Sequence, residues 1–201
     1  TEKEIFHEVA HQLGLSLMDS VFIRHPLAFL VEAADDICYS IIDLEDGCSL
    51  GLVSYEEARA LFEGVITKNK SKLGKLSQLN SQQEKIGYLR ALAIGDLMDE
   101  CSNIFLESEE EILSGKFDQA LADHCPSKNM LKNIINVSKQ KIYQARQVVE
   151  IEAAGHEVLP GLLEEFTKAG LYLIQNTSLA GRPTKSRKYQ NLQFLLPREV
   201  V

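Results

Sequence analysis

The sequence predicts an all-α fold for this chain of 201 residues. Apolar residues recur at the three- and four-residue spacing of a helix along most of the chain, whereas the every-second-residue alternation of a strand is weak. Residues that cap helix N-termini stand before several of these periodic stretches. We see no internal repeat, and we therefore expect a bundle of several different helices.

Two helices are expected in the first fifty residues. The stretch 2–15 has apolar residues along one side and Gly14 as its stop. Pro26 suits the first turn of a second helix, which we expect to run to about Asp46 and to end before Gly47. The apolar side of the first helix carries Ile5, Phe6, Val9, Ala10 and Leu13.

The next two helices are indicated by their caps. Ser54, followed three residues later by a glutamate, is a capping-box pattern that predicts a short helix over 55–63. Ser81 caps a long helix over 82–107. Between them, residues 67–80 are polar, basic and without apolar periodicity, which predicts a loop.

The second half of the chain predicts further helices. Residues 108–125 are acidic and then short-helical. Pro126 and Ser127 open a further helix, which the apolar pattern carries to about Gly155, where glycine breaks it. Further helices are expected over 157–175 and 188–196, separated by a Gly-, Pro- and Ser-rich loop at 177–186. The basic residues of that loop are a candidate contact for phosphate or single-stranded DNA.

The bulk composition is that of an ordinary globular protein, with 45% hydrophobic residues and a formal net charge of −8. This negative charge argues against a general affinity for nucleic acid. The four cysteines form no C-x-x-C pair, so we interpret them as reduced thiols, and neither a membrane-spanning run nor a signal peptide is present, so a cytoplasmic location is expected. Because the chain begins at Thr1 inside a helical pattern, we expect a fragment of a longer protein.

Three chemically distinctive residues share one face of the second predicted helix. Asp35, Tyr39 and Asp43 lie four residues apart, which places them in a row of about 12 Å. Their neighbours are mostly apolar, so we expect most of this helix to be buried, and a buried carboxylate needs a metal, a partner or a ligand. The alternatives are a helix–helix salt bridge at Asp35 and an ordinary core role for Tyr39. The apolar neighbours are Ala33, Ala34, Ile37, Ile41, Ile42 and Leu44.

A second motif lies near the start of the chain. His7, Glu8 and His11 match H-E-x-x-H, the arrangement of a zinc protease helix. A third ligand in the extended motif would fall on Leu17, and only six residues precede His7, too few for the sheet of such proteases. The alternative is that the two histidines lie on a solvent or partner face, and we favour it.

The segment 24–46 resembles the block RHPL-x-x-LVEAADDI-x-Y-x-I-IDLED of bacterial deoxyguanosine triphosphate triphosphohydrolases, which belong to the HD-domain phosphohydrolase superfamily. Residues 87–94 and 105–107 resemble the next core helix of that family, and 110–115 its continuation. The resemblance covers most of residues 1–150, and family members are about twice as long as this chain.

The resemblance implies an HD-domain-like helical bundle of which this chain is the C-terminal portion. Residues 1–125 would form the end of the catalytic core and residues 126–201 a helical accessory region. In that family a His, an adjacent His-Asp pair and a later Asp hold the metal, and the later Asp falls on Asp35. No His-Asp dipeptide occurs in this chain, which would therefore supply one of the four metal ligands and no other catalytic group.

By the same resemblance, Tyr39 would pack on the deoxyribose, Asp43 would bind the sugar 3′-hydroxyl, and Arg90 would face phosphate or base. The implied reaction is hydrolysis of dGTP, or another dNTP, to the deoxynucleoside and triphosphate with a divalent Mg, Mn, Fe or Co ion. The implied partners are the nucleotide and further copies of the chain, with single-stranded DNA as another candidate and no membrane. Two alternatives stay open, a non-catalytic helical domain for oligomerisation or regulation and the zinc protease.

Overall fold

A computed structural model describes residues 2–18, 21–177 and 187–195, and their regular structure is helical apart from one two-stranded hairpin. The prediction of an all-α fold is confirmed. The chain divides into two compact units, Thr1–Ala145 and Arg146–Val201. The expected functional boundary at residue 125 stays a prediction.

The first unit contains six α-helices and the hairpin among its described residues. In chain order, its elements are α1 (Glu2–Gln12), β1 (Ser16–Met18), β2 (Val21–Phe22), α2 (Pro26–Ser49), α3 (Tyr55–Val65), α4 (Gln82–Glu107), α5 (Glu109–Leu113) and α6 (Lys128–Val137). Two 3₁₀ helices at Lys70–Gln78 and Leu121–His124 lie between them, and a π-helical turn at Ser138–Ile142 follows α6. The strands are antiparallel, with Ser16 opposite Phe22 and Met18 opposite Val21.

The core of the first unit lies where its own two longest helices, α2 and α4, pack against each other and against α3 and α6. Each fully buried large apolar side chain contributes about 1.5–3 kcal/mol to folding. Large side chains with almost no exposed surface in this core include Phe29, Ile41, Leu44, Phe62, Leu89, Leu97 and Ile134.

Both predicted N-caps are confirmed, and the full capping box forms at Ser81, whereas the Glu57 carboxylate near Ser54 pairs with Lys141. The Ser81 hydroxyl accepts a hydrogen bond from the Glu84 backbone N–H, and the Glu84 carboxylate accepts one from the Ser81 N–H, which completes the capping box. α4 has the predicted bounds. Ser54 accepts from the Glu57 N–H at 3.2 Å, and α3 runs two residues further than predicted.

Glycine marks the end of some helices of this chain and lies inside others. α2 continues through Gly47 to Ser49, and the next residue with left-handed backbone is Gly51, with φ of 72°. The predicted break at Gly155 is also wrong. The chain leaves helical structure at 143–145 instead, and α7 (Arg146–Thr177) runs through both Gly155 and Pro160. A helical glycine costs about 1 kcal/mol, which neighbouring contacts can outweigh.

The stretch 67–80, predicted as a loop, contains the 3₁₀ helix Lys70–Gln78 and is tied to the core at its start. Asp96 of α4 is fully buried, and its Oδ2 accepts the backbone N–H groups of Thr67 at 2.6 Å, Lys68 at 2.7 Å and Asn69 at 3.3 Å. The Asn69 side-chain amide donates to Oδ1. Burial opposes ionisation of Asp96, but these donors outweigh it and hold the pKa of Asp96 below its usual value.

Glu100, one turn further along α4, is also buried and ties a second segment to the helix. Its carboxylate accepts the Ser127 hydroxyl at 2.8 Å and the Ser127 N–H at 3.1 Å, just before α6 begins. The Thr67 hydroxyl adds a longer contact at 3.4 Å. Asp96 and Glu100, the α4 acid pair, therefore fix the chain before the first 3₁₀ helix and at the start of α6.

The second unit consists of α7 and α8 (Arg187–Gln193) in its described part. Ala169 is buried there, and the Tyr172 and Tyr189 rings lie 5.1 Å apart. The loop predicted at 177–186 lies, after its first residue, outside the described residues. Among the described helices, none has both the length and the apolar character that crossing a bilayer demands.

Candidate functional site

The start of α2 is fixed by the two residues before it. The Nδ1 of His25 accepts a hydrogen bond from the Leu27 N–H at 3.2 Å, and Pro26 occupies the first turn, where its missing N–H costs nothing. Arg24 pairs with Glu32 at 2.7 Å and lies 4.4 Å from the centre of the Phe29 ring. Arg24 and His25 thus have structural roles at the start of the helix.

α2 buries one face and exposes the other. Its buried side chains contact the core, whereas Tyr39 is 63% exposed and Asp35 is exposed as well. The expectation that most of the helix, and Asp35 with it, would be buried is therefore wrong for these described residues. The apolar composition misled because several apolar side chains also lie on the open face. They are Leu27, Val31, Ala34 and Ile42.

The surface beside Asp35 is open and built from one helix. Every residue that lines this shallow concavity belongs to α2, including Val31 and Cys38. Among the described residues, no group of three or more His, Cys, Asp or Glu side chains is arranged to hold a metal ion. The described residues alone thus do not fit a complete metal centre, and Asp35 offers one accessible carboxylate.

The adjacent Asp36 lies in a different environment. It lines a separate cavity between α2 and α6 together with Glu32 and Asp123. Partial burial, followed by repulsion from Glu32, Asp35 and Asp123, raises the pKa of Asp36 above its usual value. Neighbouring aspartates on α2 therefore have different surroundings, one exposed and one half-buried among like charges.

The structure adds a residue to the row that sequence reasoning missed. The Tyr143 hydroxyl, just after the π-helical turn, donates a hydrogen bond to Oδ2 of Asp43. Burial, then this bond and the charge of Asp43, raise the pKa of Tyr143 to about 12, with a further contribution from nearby Tyr39. The two residues are 100 positions apart in sequence, and no local motif predicts that they meet.

We call Asp35, Tyr39 and Asp43 the α2 row. The exposure of the side chains decreases toward the Asp43 end of this row. Asp35 and Tyr39 are exposed, and Asp43 is half-buried beneath the Tyr143 hydroxyl. A small molecule that lay along the row would meet a carboxylate at one end and a phenol–carboxylate pair about 12 Å away at the other.

Arg90 lies near a different turn of α2. Its Nη1 contacts Oε2 of Glu45 at 2.6 Å, and Glu45 is the more buried partner. Glu45 is ten residues beyond Asp35, about 15 Å along the helix axis. The ion pair links α4 to α2, and contact of Arg90 with phosphate or base stays a prediction.

One histidine of the H-E-x-x-H motif packs against the hairpin. The His7 ring contacts the Phe22 ring with centroids 5.0 Å apart, and the Glu8 carboxylate accepts from the Gln12 side chain at 3.3 Å. His7 and His11 gain no third ligand within the described residues. The apolar side expected for this helix is mostly exposed, with only Ala10 buried.

Comparison with known proteins identifies relatives that are named after the same enzyme. A deoxyguanosinetriphosphate triphosphohydrolase-like protein of Synechocystis is 37% identical over 202 residues, covering 98% of this chain and 42% of the relative. A protein of the same name from Pseudomonas aeruginosa is 32% identical, covering 85% of this chain and 40% of the relative. The deoxyguanosinetriphosphate triphosphohydrolase of Yersinia enterocolitica is 28% identical over 83% of this chain and 35% of its own length.

This chain thus spans about two fifths of the length of the relatives that it matches. No family model matches the chain.

Proposed function

Since this chain belongs to the deoxyguanosinetriphosphate triphosphohydrolase family, we propose that it forms part of an enzyme that hydrolyses dGTP, or another dNTP, to the deoxynucleoside and inorganic triphosphate. The observation that carries this proposal is the α2 row, in which an exposed carboxylate and an exposed phenol lead to the bonded Asp43–Tyr143 pair. The span of the row, about 12 Å, is close to the phosphate-to-sugar span of a nucleotide.

Asp35 is proposed to supply one ligand to a divalent cation. The remaining ligands would come from polypeptide outside these 201 residues, because the chain has no His-Asp dipeptide and its described residues form no metal-binding group. The open, single-helix surface beside Asp35 is consistent with a site that a further segment covers. When bound, the cation would polarise the α-phosphate and stabilise its developing charge.

The sugar end of the nucleotide is proposed to lie at the other end of the row. Tyr143 donates to Oδ2 of Asp43, so we assign Oδ1 as the acceptor for the sugar 3′-hydroxyl. The Tyr39 ring, one turn earlier and 63% exposed, offers an apolar face to the deoxyribose carbons. A phenol on each side of the sugar would leave no room for a 2′-hydroxyl, which would favour deoxynucleotides.

The test is release of inorganic triphosphate from dGTP by the intact protein that contains this chain, with Mn²⁺ or Mg²⁺ supplied. Asp35→Asn should reduce turnover more than about 100-fold, because metal stabilisation of transition-state charge is worth several kcal/mol. Asp46→Asn is the matched control, since Asp46 is an exposed aspartate on the same helix outside the row. Equal activity of the Asp35 variant and the control would exclude Asp35 as a ligand.

One observation favours a second candidate function, a non-catalytic helical domain. The chain has one of the four ligands that the family resemblance implies, and its described residues hold no complete metal site. If the intact protein released no triphosphate from any dNTP yet folded normally, this second function would replace the first. Assembly into homo-oligomers, binding of single-stranded DNA and a cytoplasmic location stay predictions.

A further inference from the structure

Gly47 stands where a helix has no evident need for glycine. It lies two residues before the end of α2, is buried, and does not have the positive φ that marks Gly51. Only proline is a poorer helix former than glycine, and Gly47, unlike the helical Gly95 and Gly155, has a packing reason.

That reason is the close approach of Ile142. A Cβ atom added at Gly47 would lie 2.3 Å from Cδ1 and 2.7 Å from Cγ1 of Ile142, far inside van der Waals contact, and 3.5 Å from Val53. Ile142 is itself buried. The missing side chain of Gly47 therefore makes a notch in α2 that the Ile142 side chain fills.

Ile142 is the last residue of the π-helical turn that delivers Tyr143. The Tyr143 N–H bonds to the Ser138 carbonyl at 2.9 Å, five residues back, so this turn holds one residue more than an α-helical turn. One additional residue rotates the next side chain by about 100° around the helix axis. Local packing has overridden the α-helical hydrogen-bond pattern at this point.

The Ser138 hydroxyl shows the cost of this arrangement. It is buried and has no hydrogen-bond partner among the described residues. Burial of a hydroxyl without a hydrogen bond costs free energy, which the packing contacts of this turn must offset. The contacts on α2 are those of Ile142 with Gly47 and Tyr143 with Asp43.

Asp43 and Gly47 are four residues apart and therefore share a face of α2. The two contacts thus hold the π-helical turn and Tyr143 in one position against that face. We infer that Gly47 is a positioning residue that seats Ile142 so that the hydroxyl of Tyr143 reaches Asp43 at the sugar end of the α2 row. Only the expected effect on nucleotide binding rests on the proposed function, because the contacts of Ile142 with Gly47 and of Tyr143 with Asp43 lie within this chain.

The test uses Gly47→Ala with two readouts. The first, on this chain, is the pKa of the Tyr143 phenol, followed by NMR of ring-labelled tyrosine and assigned by comparison with Tyr143→Phe. The pKa should fall from about 12 toward the usual value of 10.0. The second, on the intact protein, is the KM for dGTP in triphosphate release, which should rise about tenfold with a smaller change in kcat, as for one lost hydrogen bond.

Two further variants separate a specific clash from general damage. Gly47→Ala combined with Ile142→Ala removes both atoms that the new Cβ would meet most closely, so the KM of the double variant should equal that of Ile142→Ala alone to within about twofold. Gly95→Ala is the matched control, because Gly95 is a helical glycine of α4 with nothing within 4 Å of an added Cβ. It should leave both readouts unchanged.

An unchanged Tyr143 pKa in a folded Gly47→Ala chain would overturn the inference. If Gly47→Ala does not fold, Ile142→Ala alone removes the seat without added bulk, and an unchanged pKa there overturns it equally. A lowered pKa with an unchanged KM would leave the positioning role standing and would contradict the proposed sugar subsite instead.

Discussion

α2 and α4 each place two acidic side chains on one face of a mostly apolar helix, eight residues apart in α2 and four in α4, yet the structure uses them in opposite ways. The α4 acid pair is buried, and backbone and side-chain donors from 67–69 and Ser127 satisfy it. In the α2 row, Asp35 is exposed on an open surface that α2 alone lines. The first arrangement holds the fold together, whereas the second leaves a carboxylate accessible to a ligand.

Spacing and apolar context therefore do not by themselves separate a structural acid from a functional one. The distinguishing property is the source of the donors. Asp96 and Glu100 find theirs within the chain, and the cost of burying charge is offset there. Asp43 is intermediate, since it has one internal donor, Tyr143, and remains half-buried. We therefore expect stability to depend on the α4 acid pair and ligand binding on the α2 row.

Asp96→Ala should have the largest effect on stability. It leaves the N–H groups of Thr67, Lys68 and Asn69 without their acceptor, at about 1–3 kcal/mol for each buried donor that stays unsatisfied. We expect a loss of about 3 kcal/mol or more in the free energy of unfolding. Urea denaturation measures it, and a loss below about 1 kcal/mol would show that water replaces Asp96 without cost.

Glu100→Gln should be milder, because an amide keeps the shape and one acceptor oxygen. It still exchanges a charge-assisted bond with Ser127 for a neutral one, which predicts a loss of about 1–2 kcal/mol by the same denaturation. An unchanged free energy of unfolding would mean that the charge of Glu100 adds no stability beyond the contribution of the side chain's shape.

Asp43→Ala in the intact protein should raise the KM for dGTP about tenfold and change kcat less, as expected for a lost sugar contact. The Tyr143 hydroxyl also loses its acceptor, so Tyr143→Phe serves as the matched comparison. A KM for Asp43→Ala that equals that of the unchanged protein would argue against any contact of Asp43 with the sugar.

The raised pKa of Tyr143, which burial and then the bond to Asp43 produce, also predicts a pH dependence. The folded chain keeps the phenol proton up to about pH 12, whereas the unfolded chain loses it near 10.0. The folded state thus binds more protons in this interval, so the stability due to Tyr143 is complete below about pH 10 and is lost as pH rises through about 12. The unfolding free energies of the unchanged chain and Tyr143→Phe should therefore converge over that interval in urea titrations, and a constant difference would contradict the bond.

Asp35→Asn should have the smallest effect on stability. Because Asp35 is exposed, the free energy of unfolding should change by no more than about 0.5 kcal/mol. A loss as large as that of Asp96→Ala would place Asp35 among the structural acids and remove the contrast between the two helices.

Much of the helical framework was predictable because its signals are local. Ser81 and Glu84 define the start of α4 through contacts within four residues, and Ser54 does the same for α3. The break at 143–145 was not predictable, because the π-helical turn is held by contacts with α2, about a hundred residues earlier. Such long-range packing leaves no periodicity in the sequence.

The candidate site was predictable in its residues and not in its exposure. The spacing of Asp35, Tyr39 and Asp43 fixes their common face on any helix, but which face turns toward the core depends on how α2 packs against α4. Tyr143 was missed for the same reason as the helix break at 143–145. The α4 acid pair was missed because its donors lie in the stretch 67–80, which has no pattern of its own, and at Ser127.

The most direct test of the central claim, that the exposed carboxylate of Asp35 is a metal ligand beside a nucleotide, is anomalous X-ray scattering from crystals of the intact protein soaked with Mn²⁺ and dGTP. We predict a manganese peak within bonding distance of the Asp35 carboxylate, with the deoxyribose toward Tyr39 and Asp43. A metal bound elsewhere, or an Asp35 carboxylate paired with a cationic side chain far from any nucleotide, would contradict the claim.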